Sequence, residues 1–187
     1  MKPLDRWLQH QRLNRVLPWL KPGQKILDLG SANGALFQIF SQAAAGSLGI
    51  DPTLARDTCT TGGFRLCRGF FPDQMPANAG QFDVIVMLAV LEHIPGNHLG
   101  PFVEGIAQYL HSGGRVLLTV PSPRVDGLLR ILKQLRLVDG MSLEEHHGFD
   151  VESTAQLFGA PRFRLVKHQR FQLGLNNFYV FERTGGA

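Results

Sequence analysis

Asp28, Gly30, Gly34 and Asp51 carry the first chemical signal in the chain. The run Lys25-Ile26-Leu27-Asp28-Leu29 is apolar apart from its ends and Asp28, and it opens into Gly30-Ser31-Ala32-Asn33-Gly34. Gly30 and Gly34 let backbone turn sharply and approach a ligand with no Cβ in the way. A helix opening near Gly34 would offer free N–H groups and a positive dipole end, which suit an anionic group. Asp28, just before the loop, repels phosphate but attracts an ammonium. The loop therefore prefers a zwitterion, with Ser31 inside the same turn. It lacks the third glycine of the G-x-G-x-x-G fingerprint that admits a pyrophosphate. Asp51 closes the next apolar run, where a carboxylate can accept hydrogen bonds from both hydroxyls of a ribose. Amino acid, ribose and an adenine slot describe S-adenosylmethionine.

Histidines supply the second signal. Glu92-His93 follows the strongest apolar run, Phe82–Met87, and histidine is the side chain whose reference pKa lies near neutrality, as a general base for a hydroxyl acceptor requires. If His93 only shapes a loop, the chemistry is alignment alone. Glu144-Glu145-His146-His147 is a second polar cluster. His146 and His147 are candidate acceptor contacts, and no spaced partner makes them metal ligands. No metal site is expected.

The elements that must position these residues follow from periodicity. Leu4, Leu8, Leu13, Val16, Leu17 and Leu20 predict an amphipathic helix over 4–20. Buried strands are expected at 25–29, 47–51, 64–68, 82–87 and 115–120, with helices over 34–45 and 99–110. Strands alternating with helices specify a doubly wound, Rossmann-like α/β sheet of five parallel strands with helices on both faces. The runs 162–171 and 177–182 are joined too tightly for a helical crossover and predict a C-terminal antiparallel hairpin, with Asn176-Asn177 in its turn. A single domain spans 1–187: N-terminal helix 4–20, cofactor-binding core 24–121, an inserted helix and acceptor-side loop 122–160, and the hairpin 161–183. Leucines of the inserted helix over 125–137 line either core or a lipid-like pocket.

Four segments in the correct order resemble the class I S-adenosylmethionine-dependent methyltransferases, the mixed group that includes the ubiquinone/menaquinone type. They are Lys25–Gly34, Ser47–Pro52, Phe82–Ile94 with its "LEHI" ending, and the "GGxxxxxxP" stretch Gly113–Pro121. The resemblance implies a cofactor site built from Asp28, Gly30, Ser31, Gly34, Asp51, Phe70 and Leu88. Ala32 replaces the family's middle glycine, which is tolerable if its φ is negative. Phe70 and Phe71 stand after the third strand where the family often has an Asp, so Phe70 is expected to wall the adenine, with Asp73 as the alternative. No asparagine-proline-proline-aromatic run follows the fourth strand, which favours oxygen or carbon over nitrogen as the methylated atom.

Bulk properties bound the rest. The chain has 187 residues, 44% of them hydrophobic, a net charge of +4 and a pI near 9.4. Its basic residues are scattered, with no aromatic interleaving, so a nucleic-acid acceptor is disfavoured against a small molecule, lipid-like or sugar-linked. No apolar stretch of transmembrane length or signal peptide is read, and two cysteines make no disulfide framework, so a cytoplasmic setting is expected. The alternatives on the same sheet are a nicotinamide-dependent oxidoreductase and a non-catalytic cofactor-binding domain.

Overall fold

A computed structural model describes residues 3–59, 63–122 and 151–185. Its elements are α1 (Pro3–Val16), β1 (Ile26–Leu29), α2 (Ala35–Ile39), β2 (Leu48–Asp51), β3 (Thr58–Cys59), β4 (Arg65–Arg68), β5 (Phe82–Leu88), α3 (Leu99–Tyr109), β6 (Leu110–Pro121), α4 (Thr154–Leu157), β7 (Phe163–Phe171) and β8 (Asn176–Arg183). The strands form one sheet in the order β3-β4-β2-β1-β5-β6-β8-β7. From β4 to β6 every neighbour is parallel; β8 runs antiparallel to β6, and β7 antiparallel to β8.

The five expected parallel strands and the closing hairpin are all present. The two-residue β3, antiparallel to β4, is an addition too short to leave a periodic signal. Three expected elements differ in extent. The N-terminal helix stops at Val16 and tightens into a 3-10 turn over Leu17–Trp19, because Pro18 has no N–H to continue it. The helix expected over 34–45 is only Ala35–Ile39. β6 starts at Leu110 rather than Arg115, running through the Gly113-Gly114 bend.

Burial follows the pleat. Leu27, Leu29, Ile85, Met87, Val116, Leu118 and Phe181 pack with Phe102, Val103 and Ile106 of α3 on one face. Ile26, Val84, Val86, Leu117, Phe178 and Val180 pack with Leu13 and Val16 of α1 and Phe37 of α2 on the other. β1 is buried along its whole length and is pinned at its start, where Lys25 N–H donates to the Asp83 carboxylate at 2.8 Å.

Because β1 sits centrally, the chain leaves it for β2 on one side and reaches β5 on the other. The loops after β1 and β5 diverge there, which opens a crevice at the carboxyl edge. At the far end of the sheet, Phe181 is fully buried, stacked on Phe158 at 5.0 Å between ring centroids. Phe181→Ala is expected to destabilise the fold by about 3–5 kcal/mol, the scale of a large aromatic cavity. A urea midpoint unchanged from the parent would contradict this packing.

Candidate functional site

The loop after β1 is held in shape by the end of β2. Gly30 N–H and Ser31 N–H both point to Ile50 O, at 2.9 and 3.4 Å, and Ala32 N–H donates to Asp51 Oδ2 at 2.8 Å. Asp51 Oδ1 accepts from both Thr53 N–H, at 2.8 Å, and the Thr53 hydroxyl, at 2.5 Å. Three of the roughly four acceptor positions of this buried carboxylate are therefore occupied within the protein. It accepts one further hydrogen bond directly, and a second once the Thr53 hydroxyl turns away.

Gly30 and Gly34 both have φ of +72°, and Ala32 has φ of +43°. The condition under which alanine would replace the glycine without strain, a negative φ, is not met at Ala32. The chain must turn left-handed there to carry the Ala32 N–H to Asp51, although the Cβ makes that conformation unfavourable. A Cβ at Gly30 would stand 2.6 Å from Val90 Cγ2, so the loop after β5 closes directly on the loop after β1. The dipole expected behind Gly34 is small, because α2 has only five residues, and Gly34 N–H already donates to Ser31 O at 2.8 Å. The Ser31 Oγ is buried with no hydrogen-bond partner, beside Gly49 of β2.

Asp28 lies within buried β1. Burial first, and the nearby Asp51 charge second, push its carboxyl up to about 8. At neutral pH it holds a proton in the ligand-free chain, and a bound ammonium would favour its ionised form.

Beyond the ends of β2 and β4 lies a cleft of about 570 Å³ lined by Pro52, Arg68, Gly69, Phe70 and Gln74. Phe70 is 63% exposed, whereas Phe71 turns inward onto Phe102 and Tyr109 of α3. Asp73 is exposed and does not line the cleft. Leu88, half-buried, ends β5 on the same edge of the sheet. Glu92 is buried and His93 half-buried in the 3-10 turn Leu91–His93 that follows. His146, His147 and the inserted helix lie outside the described residues. Val90, Thr53 and Gln74 escaped the sequence reading, since a lone Val or Gln carries no spacing signal.

The donor set fits S-adenosylmethionine at its parts. A buried acid in β1, a left-handed glycine turn, a carboxylate at the end of β2 and a cleft of about 570 Å³ follow one another along one edge. No three-residue group able to hold a metal ion occurs among the described residues. No helix among them is long and apolar enough to cross a membrane.

Residues 5–168 match the family described as Methyltransferase domain, so the chain belongs to that family. It is 32% identical over 84 residues to a ubiquinone biosynthesis O-methyltransferase of Actinobacillus pleuropneumoniae, covering 39% of this chain and 36% of that protein. It is also 32% identical over 111 residues to a tRNA U34 carboxymethyltransferase of Alcanivorax borkumensis, covering 50% and 33%. The matched stretch thus spans about a third of the length of these curated relatives. Among solved structures, magnesium protoporphyrin IX methyltransferase from Synechocystis PCC 6803, with bound SAH, superposes with a TM-score of 0.68 at 18% identity. That match covers 96% of this chain and 85% of the other. The 1,6-didemethyltoxoflavin-N1-methyltransferase of Burkholderia thailandensis gives 0.67 at 16% identity, covering 95% and 79%. At those identities the likeness is one of fold.

Two outcomes follow from the loop. The folded chain keeps a proton on Asp28 that the unfolded chain releases above 3.8, so stability is expected to fall as pH rises from about 4 to 8 and to level off beyond. Asp28→Asn should flatten that slope and melt higher than the parent at pH 8, as thermal denaturation across pH would show. Ala32→Gly should stabilise the fold by about 0.5–1 kcal/mol, the relief of left-handed strain less the entropy that glycine adds to the unfolded chain.

Proposed function

We propose that this chain binds S-adenosylmethionine and transfers its methyl group to a small-molecule acceptor, with oxygen or carbon favoured over nitrogen. The observation that carries the reading is the hydrogen bond from Ala32 N–H to Asp51, which ties the glycine turn to a carboxylate beside a nucleoside-sized cleft. The match to the methyltransferase domain over most of the chain supports it.

In this reading Asp28 pairs with the amine, and the turn from Gly30 through Ser31 to Gly34 receives the carboxylate. Asp51 accepts from the ribose, Phe70 stacks on adenine, and Leu88 walls the sulfur side. The cofactor supplies a methyl carbon already activated by a sulfonium, so the protein's main task is to align the acceptor with it. For a hydroxyl acceptor, His93 takes the proton as the oxygen attacks, and Glu92 orients it. His146 and His147 contact the acceptor. The relatives differ in what their names say they transfer and act on, a methyl group to oxygen in one and a carboxymethyl group to tRNA U34 in the other, so they single out no one acceptor. The segment Leu88-Ala89-Val90-Leu91 at the end of β5 stands where an asparagine-proline-proline-aromatic run would favour nitrogen, and it supports oxygen or carbon instead. A cytoplasmic, reducing setting suits the buried free thiol of Cys67.

Titration calorimetry with S-adenosylmethionine, S-adenosylhomocysteine and NAD tests the cofactor: the first two should bind and the third should not. Asp51→Ala should weaken S-adenosylhomocysteine at least tenfold, the scale of a lost charge-assisted hydrogen bond; an unchanged dissociation constant would remove Asp51 from the site. His93→Ala should bind the cofactor normally and turn over a hydroxyl acceptor about 10²-fold more slowly. Full turnover in that variant would leave alignment alone as the source of catalysis.

A further inference from the structure

Where β6 ends and β8 begins, the buried Thr119 and Asn176 and the half-buried Gln172 each hold a buried atom with no hydrogen-bond partner: Thr119 Oγ1, Asn176 Oδ1 and Gln172 Nε2. Thr119 is 1% exposed and Asn176 3%. Thr119 pairs with Phe178 and Pro121 with Asn176, which makes Thr119 and Asn176 diagonal neighbours on one face of the sheet. Asn176 Nδ2 donates to Gln172 Oε1 at 2.5 Å. That bond engages the Asn176 amide nitrogen and the Gln172 carbonyl, and leaves the Gln172 amide nitrogen and the Asn176 carbonyl open. Exchanging nitrogen and oxygen in both amides again leaves one amide nitrogen and one carbonyl open. Asn177, the next residue, shows the contrast: its Oδ1 meets His168 Nε2 at 3.0 Å, over a ring stacked on Tyr179.

The backbone beside these atoms is strained. Asn176 and Asn177 were expected in the hairpin turn, but both lie in β8, and the left-handed positions fall instead on Gln172 (φ +51°), Leu173 (φ +57°) and Gly174 (φ +82°). Two consecutive non-glycine residues hold a conformation their Cβ atoms disfavour. Leu173 at the tip is fully exposed, an unusual place for a large apolar side chain. Ser122 N–H donates to Leu175 O at 2.8 Å, which ties the turn to the end of β6. One strand away, Ala89 N–H donates to Thr119 O at 3.0 Å, so the cluster borders the segment that follows Leu88. Unpaired buried polar atoms and backbone strain are both unfavourable to folding, and here they coincide at the edge that carries the cofactor loops.

We propose that Thr119, Gln172 and Asn176 recognise the methyl acceptor through a neutral group that sets a hydrogen-bond donor beside an acceptor: a lactam, a carboxamide, or a hydroxyl next to a carbonyl. The turn over 172–174 opens to admit that group, and its open N–H and carbonyl then pair with it while Thr119 adds its hydroxyl. All three side chains are uncharged, so a phosphate or carboxylate gains nothing here that a neutral group lacks. The inference rests on the methyl-transfer reading of the same edge and specifies the acceptor's chemistry.

The test uses the full chain saturated with S-adenosylhomocysteine, with the side-chain amide signals of Asn176 and Gln172 followed by NMR. The probes are 2-pyridone, whose lactam sets N–H beside C=O, and N-methyl-2-pyridone, whose donor is capped. Saturable shifts are expected with 2-pyridone and none with the capped probe. Thr119→Val and Asn176→Leu should each weaken 2-pyridone at least tenfold and leave S-adenosylhomocysteine affinity unchanged. Thr119→Val should also raise the melting temperature by about 2–4 °C, since it removes an unpaired hydroxyl from the interior. Equal responses to the two probes, no saturable shift, or a lower melting temperature for Thr119→Val would each overturn the proposal. Failure of the parent chain to bind S-adenosylhomocysteine is a separate result, which overturns the cofactor reading while the pyridone titration still decides the subsite.

Discussion

The hydrogen bond between Ala32 N–H and the Asp51 carboxylate is the contact on which the site's geometry depends. It joins the loop after β1 to the end of β2, and it is available only because Ala32 adopts a left-handed φ. A residue with a side chain accepts that conformation where the surrounding contacts outweigh its strain, which is of order 1–2 kcal/mol. Here a charge-assisted bond to a buried carboxylate is of comparable or larger size. Thr53 holds the other carboxylate oxygen, so Asp51 cannot rotate away from the loop without losing two more bonds. The loop and the strand end are therefore held in one fixed arrangement.

Asp28 shows the opposite balance. It stands in a fully buried strand next to a second acid, and nothing about the fold alone favours a carboxyl there. An apolar residue at the same place would remove both the desolvation penalty and the repulsion from Asp51. Retaining an acid under those conditions makes sense where a cation visits, because its arrival offsets both costs at once. In the proposed reading a bound ammonium supplies that cation, and strongly shifted groups of this kind cluster at functional sites.

The parallel core was legible from sequence because strands buried on both faces must read as continuous apolar runs, and 25–29, 47–51 and 82–87 do so. The glycine turn was legible for a related reason: left-handed backbone at Gly30 and Gly34 leaves few residue choices. The errors arose where a local preference met a tertiary demand. Asn176 and Asn177 carry a turn-forming residue type, yet the register of β8 against β6 runs on to Pro121 and Asn176, drawing both asparagines into the sheet. The turn was then left to Gln172, Leu173 and Gly174, of which only the glycine announces it. Val90 was invisible because its role is to touch Gly30 from another loop, and no spacing along the chain encodes that contact.

In the proposed reading the two ends of the carboxyl edge divide the work of recognition by different physics. The stretch from β1 to β4 presents carboxyl and aromatic groups, namely Asp28, Asp51 and Phe70, which in that reading suit a ligand that carries its own charge and a flat base. At the β6–β8 end the available groups are two amides and a hydroxyl, all uncharged and closed off from water. A neutral hydrogen bond gains least in water and most where water is excluded, so shielding is what gives such groups discriminating power. An acceptor that leaves the open amide pair unmatched would face the desolvation of both partners with no return. The penalty for the wrong ligand is then larger than the gain for the right one, and that asymmetry is what an enzyme needs in order to choose among acceptors of similar size and shape.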